Sequence, residues 1–114
     1  MADPHASALP PDLGVPQLVW LIEQVDADRL PVEELIRTFR DTHEAIERLG
    51  RPKYRSKEEA RLIWDILWML EFYSQNPSQE ENPSEWHDAD DVLAEVKRVA
   101  KRLKELDLDS SASA

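Results

Sequence analysis

An all-α fold, a single up-and-down four-helix bundle with a long acidic loop between its third and fourth helices, is predicted by three features of the sequence. Apolar residues recur at i, i+3 and i+4 in four separate stretches, β-branched alternation of period two is absent, and only two glycines are present. The four stretches take up about 70 residues, well above the helical share of mixed domains. A chain of 114 residues with 41% hydrophobic content can bury one modest core, not two.

The first helix is expected from about Pro16 to Asp28, with Leu18, Leu21, Ile22 and Val25 on one stripe and Pro16 suited to the first turn. The second begins at Pro31. Glu33 and Glu34 occupy its first turn, where the dipole favours acids, and Leu35, Ile36, Phe39, Ile46 and Leu49 form its apolar face before Gly50 and Pro52 stop it. The third opens on Ser56-Lys57-Glu58-Glu59, a capping box in which Ser56 and Glu59 are expected to satisfy each other's backbone N–H groups. Ile63, Ile66, Leu67, Leu70 and Tyr73 mark one face of this helix. Leu62, Trp64, Trp68, Met69 and Phe72 cover much of the rest, which predicts a central helix, apolar nearly all round. The fourth starts at an Asp88 cap and carries Val92, Val96, Val99, Leu103 and Leu106, with Lys97, Arg98, Lys101, Arg102 and Lys104 on the opposite face.

Outside the helices, four of the eight prolines fall in the first 16 residues, and the last six residues are rich in Ser and Ala. Residues 1–15 are therefore expected to form a flexible arm, 16–108 the bundle, and 109–114 a disordered tail. Asp3 stands where a signal peptide would carry basic residues, and no apolar run is longer than that from Ile66 to Leu70, far short of the roughly 20 residues that span a bilayer. A soluble, cytoplasmic protein is expected. The absence of cysteine excludes disulfides and thiolate chemistry.

Charge is the most informative property. Asp and Glu number 24 against 14 Lys and Arg, a formal net charge of -10, which disfavours direct nucleic-acid binding. The surplus is localised. From Leu62 to Val96 there is no Lys or Arg, whereas Asp65, Glu71, Glu80, Glu81, Glu85, Asp88, Asp90, Asp91 and Glu95 contribute nine acids, expected to be uncompensated. Trp86 lies among them, either pinning the loop to the helices or anchoring an interface with a charged rim. The candidate partner-binding residues are therefore Glu71, Glu80, Glu81, Glu85, Trp86, Asp88, Asp90 and Asp91, and the partner they suit is a basic protein surface.

Catalytic signals are weak. His5, His43 and His87 form no metal-ligand pair at helical spacing, and the carboxylate pairs Glu23 with Asp26, Glu34 with Asp41 and Glu44 with Glu47 lack an ExxH partner. His43, on the apolar stripe, reads as a core-edge histidine, and His87 as a loop histidine. Gly14 and Gly50 stand alone, so no phosphate loop exists. Neither enzyme activity nor a cofactor or metal is expected.

The segment Pro31 to Phe39, the aromatic and acidic run Ile63 to Tyr73, the acidic loop, and Asp88 to Val96 together resemble the colicin D-type bacterial immunity proteins, in order and with similar spacing, over roughly Val15 to Leu106. The proline-rich arm and the basic Arg51 to Arg61 stretch lie outside the resemblance. What it implies is a small four-helix protein that binds the tRNA-cleaving domain of a toxin, its acids occupying the toxin's positively charged tRNA site and blocking substrate without chemistry. The alternative reading is a cytosolic interaction or regulatory module, homodimeric through the exposed side of the Trp64 and Trp68 helix.

Overall fold

The computed structural model describes residues 10, 12–74, 76, 80–82 and 86–112. Among these, four helices form in the order α1 (Val15–Asp26), α2 (Val32–Leu49), α3 (Lys57–Glu71) and α4 (Ala89–Ala112), with no strand. The chain divides into two compact units, Met1–Lys53 and Tyr54–Ala114, each built on one helical pair.

In the first unit α1 packs along α2. The expected stripe of α1 is buried in full, joined by Val15 and Gln24. From α2, Val32, Leu35, Phe39, His43 and Ile46 are buried, whereas Leu49, the last helical residue, is exposed. The two helices turn through Asp28 at φ 60. Its N–H donates to Val25 O (3.1 Å) and the Arg29 N–H to Gln24 O (2.9 Å), the paired bonds of a Schellman motif with an aspartate in the left-handed position glycine usually fills. For that reason α1 ends at Asp26, two residues before the expected stop. Gly50, at φ 139, caps α2 as expected. Of the expected 1–15 arm, residues 1–9 and 11 lie outside the described residues, and Val15 already belongs to α1.

In the second unit α3 packs along α4. Buried positions on α3 follow Glu59, Ile63, Ile66 and Leu70, and on α4 Val92, Val96, Val99 and Leu103, both spaced four, three and four. That shared spacing keeps one stripe of each helix in register with the other over several turns. Ion pairs flank the stripes: Arg102 Nε lies 2.7 Å from Glu58 Oε1, and Arg98 Nη2 2.9 Å from Asp65 Oδ2. An early α3 residue thus pairs with a late α4 residue, and a later with an earlier, so the helices run antiparallel. The helical backbone of α4 continues to Ala112, through part of the expected tail.

Capping differs from expectation in an instructive way. Ser56 Oγ accepts the Glu59 N–H at 3.0 Å, as predicted, but the Glu59 carboxylate does not return the bond to Ser56. It accepts the Arg55 N–H (2.9 Å) and Arg55 Nε (2.6 Å) instead. Glu59 occupies the first core position of the α3 stripe and is only 1% exposed, so its charge requires this set of donors. The reciprocal box forms at α4: the Asp91 N–H donates to Asp88 Oδ1 (2.9 Å) and the Asp88 N–H to Asp91 Oδ2 (3.1 Å).

The α3–α4 ion pairs set a pH dependence. The hydrogen bond from Arg102 holds the Glu58 carboxyl below its ordinary value of 4.5. A depressed carboxyl contributes stability that is fully present above its unfolded pKa and is lost as pH falls through the folded one. Arg102→Gln is therefore expected to lower the urea midpoint at neutral pH and to match the parent at about pH 2, where the carboxylate is protonated in both states. A deficit that stays constant from neutral to acid pH would show that the pair does not supply it.

Candidate functional site

The connection from α3 to α4 is clasped at its base. The His87 N–H donates to Phe72 O (2.7 Å) and the Ser74 N–H to His87 O (2.9 Å), an isolated parallel bridge between Tyr73 and His87. Trp86 closes the clasp, its ring edge-to-face with Phe72 at 6.1 Å between centroids and 64° between planes. Of the two readings of Trp86, the ring contact with Phe72 is the one that pinning the loop requires; the side chain is half-buried. As a result, the end of α3, with Glu71 and Phe72, and the start of α4, with Asp88, Asp90 and Asp91, meet at one end of the antiparallel pair.

The candidate acids do different work. Glu80 is half-buried and accepts from Ser74 Oγ at 2.9 Å, while Ser74 Oγ accepts the Asn76 N–H, so Glu80 organises the connection. Asp88 and Asp91 are joined in the α4 cap, with His87 Nδ1 3.7 Å from Asp91 Oδ2. Glu71, Glu81 and Asp90 are exposed. Glu85 lies outside the described residues. Nor are all nine acids of the Leu62–Val96 span uncompensated: Asp65 and Glu95 both pair with Arg98, just beyond its end. Those hydrogen bonds, Glu95 first, raise the Arg98 pKa further above its ordinary range, so the guanidinium stays charged.

The expectation that α3 is covered on nearly all sides is corrected. Trp64, Trp68 and Phe72 are 44%, 62% and 44% exposed. Spaced by four, they line one outward face, opposite the buried Ile63, Ile66 and Leu70. Phe72 was absent from the expected site, although its spacing from Trp64 and Trp68 was visible in the sequence. The three aromatics lead directly into the clasp and its acids.

His43 is buried, with Nδ1 3.0 Å from Glu47 Oε1 one turn on. Among the described residues, no group of three or more His, Asp or Glu side chains is placed to hold a metal ion, and no helix is long and apolar enough to cross a membrane. What the arrangement offers chemically is a surface: exposed aromatic rings edged by carboxylates, carried on an antiparallel helical pair. Compared with protein-family models, curated proteins and solved structures, the chain matches none.

The two faces of α3 make a stability contrast. Ile66→Ala, at a fully buried position, is expected to cost about 2–5 kcal/mol in urea denaturation. Trp68→Ala should stay within about 0.5 kcal/mol of the parent despite removing a larger side chain. Comparable losses at both sites would mean that Trp68 is packed rather than outward-facing.

Proposed function

We propose that this chain is a toxin-neutralising immunity protein, a stoichiometric and non-catalytic inhibitor that acts in the cytoplasm. It covers the positively charged substrate cleft of a nuclease with carboxylates placed where phosphates of a tRNA-like substrate would lie. The observation that carries the reading is the clasp, because it gathers exposed acids from α3 and α4 beside exposed aromatics, in a span with no Lys or Arg from Leu62 to Val96. An apolar centre with a charged rim suits tight binding, and its charge suits fast, salt-sensitive association with a basic surface. The resemblance to colicin D-type immunity proteins supports the same reading.

Glu71, Glu81 and Asp90 are the acids best placed for such contact, since each is exposed and none is one of the two joined in the α4 cap. Glu80, Asp88 and Asp91 contribute field and hold the surface in shape. The alternative, a homodimeric interaction module, draws on the exposure of Trp64 and Trp68. Sedimentation separates the two, since the inhibitor is monomeric when free.

The direct test mixes the chain at low salt with the basic nuclease domain of a toxin encoded beside its gene. A 1:1 complex that blocks RNA cleavage is expected. The double variant Glu81→Lys and Asp90→Lys should slow association by about an order of magnitude and flatten its salt dependence. Absence of a complex removes the immunity reading, and unchanged association by the double variant removes the acidic surface from it.

A further inference from the structure

Resting on the reading that the partner is a basic protein, we infer that the Trp64–Trp68–Phe72 face of α3 is an arginine-reading surface. On it, partner guanidinium groups stack against the outward rings and bond to the exposed Glu71 carboxylate beside Trp68. Large aromatic side chains left exposed along two turns of one helix face are uncommon on a solvated surface. Trp68, the most exposed of them, has Glu71 three residues after it, the spacing that places it beside the ring on the helix surface, while Asp65, three residues before, already holds Arg98. An indole face edged by carboxylates attracts cations twice over, through the ring quadrupole and through charge.

Charge complementarity selects the occupant. A twofold pairing with a second copy brings Glu71 and the α4 acids of one chain against those of the other when the two α3 helices run parallel, and against the Arg61 end of the other copy when they run antiparallel, so charge restricts a second copy to one arrangement and does not restrict a basic partner. The nearest base on the same helix, Arg61, is one turn before Trp64 at the far end of the face from the clasp. A nucleic acid is repelled by the same acids. Between the two basic side chains, the planar guanidinium stacks on an indole and bonds a carboxylate at the same time, whereas the compact, strongly hydrated ammonium does not. The chain's own Arg98 already shows the carboxylate half of this recognition, bonded to both Asp65 and Glu95.

The test titrates the full chain with octa-arginine and with octa-lysine at low ionic strength, followed by calorimetry. Octa-arginine is expected to bind about two- to fivefold more tightly, the advantage one cation–π contact confers at an exposed site. Trp68→Ala should bring octa-arginine to the affinity of octa-lysine while leaving octa-lysine unchanged, and Trp68→Phe should restore part of the difference. Equal affinity of the parent for both peptides overturns the inference, as does an arginine preference that survives Trp68→Ala. A dimer in sedimentation that Trp68→Ala disperses also overturns it, by assigning the face to a second copy. Failure here is separable from failure of the immunity reading. Nuclease inhibition unaffected by Trp68→Ala removes only the arginine surface, and a Trp68-dependent arginine preference without any inhibited nuclease removes only the immunity reading.

Discussion

The rotation of α3 about its own axis is set by its packing on α4, and most of what this chain presents to solvent follows from that one constraint. α3 carries apolar residues around most of its circumference, but the four-three-four stripe from Glu59 through Ile63 and Ile66 to Leu70 is the one whose spacing matches Val92, Val96, Val99 and Leu103 on α4. Burying that stripe is worth several kcal/mol, since each fully buried aliphatic side chain contributes about 1.5–3 kcal/mol. The partly exposed ion pairs Arg98–Asp65 and Arg102–Glu58 agree with the axial register that the stripes set. With rotation and register fixed, Trp64, Trp68 and Phe72 have no choice but to face outward.

The same packing explains how charge is used. Acidic residues at a helix start are stabilised by the dipole and by orphan N–H groups, and Asp88 and Asp91 are consumed in that role. Glu59 is consumed in the core, Asp65 and Glu95 by Arg98, and Glu80 by the loop hydroxyl of Ser74. Several acids that look alike in the sequence therefore shape the surface, while Glu71, Glu81 and Asp90 are exposed on it. A clustered negative charge can serve structure and recognition at once, because its long-range field acts on a partner even where its lone pairs are already bonded.

Much of the helical content was legible in the sequence, because a 3.6-residue period and a cap residue are local signals. Ser56 and Asp88 marked the starts of α3 and α4 to the residue. The parts that were not legible are decided by competition between neighbours. The end of α1 depends on Asp28 accepting a left-handed backbone, which no glycine announced. The return bond of Glu59 goes to Arg55 because the buried carboxylate gains a guanidinium there, from a residue just outside the four-residue motif. Periodicity showed α3 apolar nearly all round but not which side would be left exposed. That outcome rests on α4, a partner separated by the whole α3–α4 connection. The clasp of Phe72 and Ser74 on His87 is likewise a long-range pairing with no sequence signature.

Hydroxyl-radical footprinting of the free chain, read by mass spectrometry at each of the four tryptophans, tests the outward face of α3 most directly. Trp68 and Trp64 are expected to oxidise fastest. Trp86, half-buried against Phe72, and Trp20, whose indole Nε1 is buried, should oxidise more slowly. Oxidation of Trp64 and Trp68 as slow as that of Trp20 would contradict the outward orientation of α3, and with it the surface on which recognition is proposed to occur.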